Sequence, residues 1–238
     1  DTTAFIWQTK KKLYQNSQLQ IVVPSKWLMN KVKLSILKHL PIEVIYNGIN
    51  TKKFFPGNKP EIRERLGIAE NRVVVIFSAE LGVKNPYKGG EFLAKIMSDE
   101  DFQDILFVNI GGGDFVIKES NCWTIPYIKK EEELAMYYSA SDIYLYPSLA
   151  DNCPLVILEA MGCGLPVVTF ETGGIPELVE HKKNGFIAKY KDYPDLKQYL
   201  KLLIENKELR KDMAQSAIKQ VNDNFTLDIM HQQYMHVY

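Results

Sequence analysis

Residues 146–177 read YPSLADNCPLVILEAMGCGLPVVTFETGGIPE. The stretch leaves an apolar strand at 143–146, crosses a polar turn and enters a short apolar helix. It then gives a second apolar strand at 166–170 and ends on two glycines and Glu177. Two carboxylates, Asp151 and Glu159, stand eight positions apart, the first in the loop before the helix and the second within it. Pro154 suits the first helical position and Asn152 suits its cap, so free backbone N–H groups should point out of this helix start. Such an end attracts phosphate oxygens, carboxylates and sugar hydroxyls. Ligands of open α/β sheets gather at the carboxyl ends of strands, and this turn lies at one.

Working outward, strand and helix alternate. KPEIRERLGI, from residue 59, predicts a short helix ended by Gly67, and RVVVIFS over 72–78 a fully buried strand. A helix over 88–97 is opened by KGG, and a strand over 105–110 runs into Gly111, Gly112 and Gly113. A short strand at 123–126 and a helix over 131–139 follow. Short apolar strands alternating with helices specify an α/β fold, a Rossmann-like doubly wound parallel sheet. The tail predicts three helices, over 192–207, 208–225 and 226–238. Upstream, the chain predicts a helix over 1–19, a strand over 20–24, a helix over 25–40 and a strand over 43–46. The turn Asn47-Gly48-Ile49-Asn50 comes next, and by itself it also suits a simple hairpin.

Composition narrows the class. The 29 basic and 29 acidic residues balance, which argues against nucleic-acid binding driven by bulk charge. No apolar run has the length of a membrane span, and the first residues lack the apolar core of a signal peptide. Cys122, Cys153 and Cys163 are odd in number and have no metal-ligand spacing, so they read as reduced cytosolic thiols. No carboxylate cluster stands out to hold a metal, and His39, His181, His231 and His236 match no ligand or triad spacing.

The decisive stretch resembles the nucleotide-binding signature of the retaining family-4 glycosyltransferases, enzymes of GT-B fold: E-x7-E, then AM-x-CG-x-PVV, then GG-x-PE. Asp151 stands where that family usually has Glu. IVVPSKWL and IYNGINTKKFFP are similar to the family's crossing between its two Rossmann-like domains. The resemblance implies three parts: 1–55, the tail end of an N-terminal Rossmann-like domain and linker; 56–222, the C-terminal donor-binding domain; and 223–238, a helix returning toward the first domain. It implies a retaining hexosyltransferase, metal-independent, that takes a UDP- or GDP-hexose as donor. The sugar goes to a glycan or lipid-linked acceptor in surface polysaccharide assembly. The implied setting is cytoplasmic, with peripheral contact at the inner face of a membrane. The missing N-terminal domain is an implied partner, and the 238 residues alone should be catalytically silent.

By the same resemblance, Lys88 of NPYKGG offsets charge on the leaving diphosphate, as an ammonium beside free backbone donors does. Glu159 takes the two ribose hydroxyls, and it sits in an apolar helix where a carboxylate needs a partner. Asp151 takes hydroxyls of the donor sugar, and it also reads as a helix cap. Its carboxylate, one methylene shorter than Glu, falls about 1.5 Å short, which a loop shift or a water makes up. Asn152, Cys153, Pro154 and Leu155 bring backbone toward sugar and phosphate, and Pro126 and Tyr127 line the base. Gly112 and Gly113 let the chain pass close to the nucleotide, or simply turn it. The family's Arg after the first strand is absent, with Ala79 and Glu80 in its place.

Three other functions compete. A glycoside hydrolase could use Asp151 and Glu159 as its carboxylate pair, but KGG suits phosphate instead. A dinucleotide-dependent oxidoreductase needs G-x-G-x-x-G, and IGGGDF lacks that spacing. A non-catalytic sugar-nucleotide-binding module is what half of an enzyme would be.

Overall fold

The structure is a computed structural model that describes residues 2–78 and 85–238. Ala79 and Glu80, where the family's Arg is missing, lie outside the described residues. A seven-stranded sheet, in the order β5-β6-β4-β3-β7-β8-β9, organises most of the chain. Its strands are β3 (Val74–Ser78), β4 (Leu106–Ile110), β5 (Ile117–Lys118), β6 (Cys122–Ile125), β7 (Ile143–Tyr146), β8 (Val167–Phe170) and β9 (Gly185–Ala188). All pairings are parallel except β5 on β6. Without the edge strand β5, the order from β6 to β9 is that of the dinucleotide-binding folds, 3-2-1-4-5-6, and the direction reverses between β3 and β7.

Helices cover both faces, as parallel sheets require. On one face α5 (Glu131–Ala140), α6 (Leu155–Gly162) and α8 (Lys207–Asn224) bury Ile157, Leu158, Met161 and Val221. On the other, α4 (Gly90–Met97) and α7 (Tyr193–Glu205) bury Leu93, Ile96, Leu196 and Leu200. Each such side chain contributes roughly 1.5–3 kcal/mol. A separate parallel pair, β1 (Ile21–Val23) with β2 (Ile42–Val44), carries α1 (Thr3–Gln15) and α2 (Lys26–Val32) ahead of α3 (Lys59–Leu66). The chain closes with α9 (Leu227–Val237). Its start is joined to the 47–50 turn, since Ile49 N donates to Phe225 O at 2.9 Å and Leu227 N to Ile49 O at 3.0 Å. Gly48 has no room for a side chain there, because a Cβ would lie 2.3 Å from Thr226 O. That turn therefore pairs with the C-terminal segment and makes no hairpin.

Several sequence expectations shift. The helix expected over 25–40 stops at Val32. Ser35 donates its hydroxyl to Val32 O and accepts from Leu37 N, so a side chain competes with the helical ladder. The helix expected from Lys88 begins at Gly90, because Gly89 takes a left-handed φ of 74° with Pro147 O where a Cβ would be. Pro154 is the cap of α6 and not its first residue. The strands β5 and β9 carry no clear pattern in the sequence.

Candidate functional site

The switch between β3 and β7 opens a cleft of about 680 Å³ at the carboxyl ends of the strands. Ser78 ends β3, Ile110 ends β4 with Gly111 just beyond it, Tyr146 ends β7, and Val156 and Glu159 come from α6. Tyr127 and Ile128, after β6, form the far wall. Two helices, α4 and α6, begin at this rim, and among the described residues no side chain caps either start. Their amide dipoles therefore supply positive potential to one place.

Lys88 and Asp151, 63 residues apart, meet at the lip. Lys88 Nζ donates to Asp151 Oδ2 at 2.5 Å and to the Tyr146 hydroxyl at 2.9 Å. Tyr146 in turn donates to Asp151 Oδ2 at 2.6 Å. The other Asp151 oxygen accepts from Asn152 N at 2.9 Å. Asp151 thus does not cap α6; its carboxylate is held beside an ammonium that is about one-third exposed. Burial, the neighbouring Tyr144 and the charge of Asp151 raise the Tyr146 hydroxyl far above its ordinary value, so it stays a donor.

Glu159 is the apolar helix's one charge, between the fully buried Leu158 and Ala160. Burial pushes its carboxyl up to about 7, and Glu131 adds to the rise. A carboxyl in this state gains from a ligand that donates two hydrogen bonds to its ionised form.

The remaining predicted residues divide. Tyr127 lines the cleft, while Pro126 stands one residue behind it. Gly111 touches the cleft; Gly112 packs against Asn109, whose side-chain nitrogen would lie 2.0 Å from an added Cβ, and Gly113 sits over Thr124. The glycine run is thus explained at Gly112 by packing within the turn. Asn152 caps nothing on α6, because its side chain accepts from the Ser25 hydroxyl. Cys153 is buried and its carbonyl accepts from Asn47 Nδ2 at 3.4 Å. Leu155 opens α6 with its side chain exposed. Tyr146 and Ser78 escaped sequence reasoning; each is the last residue of a strand at the switch, a position that marks a ligand-facing side chain. The two glycines of TGGIPE back the Asp151 loop, since a Cβ on Gly173 would lie 1.6 Å from Asp151 O and one on Gly174 2.1 Å from Asn152 O.

A family model for glycosyl transferases group 1 matches residues 58–220. The chain belongs to that family. The N-acetyl-alpha-D-glucosaminyl L-malate synthase of Bacillus anthracis is 25% identical over 226 residues, covering 92% of this chain and 58% of that protein. An alpha-1,3-N-acetylgalactosaminyltransferase of Campylobacter jejuni, acting on N,N'-diacetylbacillosaminyl-diphospho-undecaprenol, is 28% identical over 80% of this chain and 52% of its own length. The chain spans about half the length of the curated relatives it matches. Among solved structures, the sucrose-phosphate synthase of Thermosynechococcus elongatus superposes with a TM-score of 0.85 at 20% identity, covering 99% of this chain and 61% of that one. Anabaena HepE in complex with UDP-glucose gives 0.76 at 20% identity, covering 99% and 67%. The fold is thus that of GT-B glycosyltransferases. Among the described residues no helix is long and apolar enough to cross a membrane.

Proposed function

We propose that the cleft binds a nucleotide-sugar donor and that the chain is the donor-binding part of a retaining, family-4-like glycosyltransferase. The observation that carries this is the meeting of Lys88, Glu159 and two helix starts that no described side chain caps, in one cleft at the strand switch. The nucleoside diphosphate of HepE's complexes makes UDP the first donor base to test, with GDP second. Glu159 accepts the ribose diol, and Tyr127 covers the base. Lys88 and the amides of α4 and α6 hold the diphosphate, where they offset the charge that develops as the sugar–phosphate bond breaks. Tyr146 keeps the ammonium in place. Asp151 accepts hydroxyls of the donor sugar and orients its anomeric carbon. The acceptor, a glycan or lipid-linked sugar, comes from the side of residues 1–55, which we assign to the end of an N-terminal Rossmann-like domain. Residues 56–222 form the donor domain and 223–238 the returning helix. No metal is assigned a role, and transfer by these residues alone is not expected. The setting in surface polysaccharide assembly, at the inner face of a membrane, rests on the family resemblance, and the undecaprenol-linked acceptor in the Campylobacter relative's name supports a lipid-linked acceptor.

The site departs from a dinucleotide oxidoreductase in one further respect. IGGGDF follows β4, the second strand of the wound order, whereas the phosphate-binding glycines of that class follow the first. The test is a thermal-shift and calorimetric screen of UDP, GDP, ADP and NAD. Binding of UDP or GDP, weakened by Glu159→Ala, is expected. Binding of NAD alone, or of no nucleotide, overturns the proposal.

A further inference from the structure

Glu177 closes the GG-x-PE segment, yet its carboxylate does not face the cleft. Oε2 accepts from Lys26 N and Oε1 from Trp27 N, both at 2.8 Å, and Oε2 also accepts from the Tyr46 hydroxyl at 2.8 Å. Lys26 and Trp27 are the first two residues of α2, so a carboxylate 150 positions away satisfies two amides that no helix partner can reach. The negative charge also sits at the positive end of α2. Burial and the Glu177 carboxylate hold the Tyr46 hydroxyl well above its ordinary value, which keeps it a donor.

The same joint grips the sugar-facing loop. Ser25, the cap of α2, donates to Asn152 Oδ1, and Asn47 Nδ2 donates to Cys153 O. Gly174 lies between the two layers: a Cβ there would lie 2.1 Å from Asn152 O and 2.9 Å from the Ser25 Cβ. Gly174 N also donates to Asp151 O at 3.3 Å. Any shift of α2 relative to Glu177 is therefore passed through two packed backbones to Asp151.

We propose that Glu177 is a positioning residue, which bolts the start of α2 to residues 151–153 and so fixes the carboxylate that meets the donor sugar. This rests on the donor-binding reading above. The bolt ties the placement of residues 21–49 to the sugar end of the cleft and leaves the ribose end, on α6, untouched.

Lys26→Pro separates this role from plain stability. Proline at the first helical position removes one amide that Glu177 holds and keeps the helix, and the extended Ser25 before it tolerates proline. The experiment compares wild type, Glu177→Ala, Lys26→Pro and the double variant, with Glu177→Gln in reserve should Glu177→Ala not fold. Amide hydrogen exchange of residues 149–155 and calorimetry with UDP and UDP-glucose, and with the GDP pair, are the readouts. Glu177→Ala should speed exchange in 149–155 while α8 stays unchanged. It should weaken the glucose conjugate roughly tenfold, the effect of one lost charged hydrogen bond, and the bare diphosphate much less. With Lys26→Pro present, the effect of Glu177→Ala should shrink. Unchanged exchange in 149–155, or strictly additive effects of the two substitutions, overturns the bolt. If the wild type binds no nucleotide, the donor reading falls, and the exchange data still decide the bolt.

Discussion

The two ends of the sheet carry similar ion pairs put to opposite ends. At the amino ends, Asp142 accepts from Lys59 at 2.6 Å, from Arg63 at 2.6 Å and from Val74 N at 2.8 Å. Arg63 spends its other donors on the carbonyls of Ala140, Glu70 and Arg72 at 2.9, 2.7 and 3.0 Å. At the carboxyl ends, Lys88 and Asp151 meet at 2.5 Å, but on the lip of the larger cleft and between two helix starts that no described side chain caps. A hollow of about 380 Å³ exists at the amino ends too, with more basic residues around it. Residue type and cavity therefore do not separate site from scaffold. What separates the two cations is burial: Arg63 gives each of its three nitrogens a protein acceptor and is almost completely buried, while Lys88, held by Asp151 and Tyr146, is about one-third exposed at the lip of the cleft.

The largest expected effect lies at the buried end. Arg63→Ala leaves three carbonyls without this donor and Asp142 with one cation fewer. Breaking a buried pair from one side costs roughly 3–5 kcal/mol, and the unfolding free energy from denaturant titration should fall by that amount. Nucleotide affinity of the fraction that remains folded should not change. A near-neutral Arg63→Ala, or one that removes nucleotide binding from folded protein, erases the contrast between the two ends.

Lys88→Ala should behave in the opposite way. Its pair is partly exposed, and such pairs contribute about 1 kcal/mol or less, so the melting temperature should hardly move. Affinity for the nucleoside diphosphate should fall roughly ten- to a hundredfold, the cost of one charge-assisted contact to phosphate. Calorimetry with UDP or GDP measures it. Unchanged affinity would show that Lys88 serves only Asp151.

How much of this was visible in the chain follows from what each feature depends on. The strands β3, β4, β7 and β8 are buried on both faces, so each is a short apolar run bounded by turns, and each was legible. The strand β9 is only Gly-Phe-Ile-Ala after a Lys-Lys-Asn turn, and it is a strand because β8 offers it an edge. The two exposed residues of β5 exist as a strand only through β6. In the site, the loop-then-helix arrangement of Asp151 and Glu159 was legible because it is local. The Lys88–Asp151–Tyr146 contact is tertiary and was not. Asn152 illustrates the competition: its type and position predict a helix cap, but Ser25, 127 positions away, takes the side chain instead. Glu177 is recognisable in the chain only as the end of GG-x-PE, and only the fold shows that its partners are the amides of α2.

The smallest effect concerns Glu159, where the two ends differ in protonation. Burial raises this carboxyl from 4.5 to about 7, with Glu131 adding to it. In the unfolded chain it ionises near 4.5, so between about pH 4.5 and 7 the unfolded chain releases a proton that the folded chain keeps. Stability relative to Glu159→Gln should therefore fall as pH rises through that window and level off above it. A ligand that donates to the carboxylate favours the ionised form and reverses the trend for binding. From pH 6 to pH 8 the wild type's affinity for UDP or GDP should rise by roughly three- to tenfold more than that of Glu159→Gln, since ionisation goes from a minor to a major fraction over that range. The titration of the diphosphate itself is common to both proteins and cancels in the ratio. Calorimetry of both proteins at three pH values gives that ratio. A ratio constant with pH would mean that Glu159 meets no ribose hydroxyl, and the carboxyl would then be a buried acid of the same structural kind as the pair at the other end of the sheet.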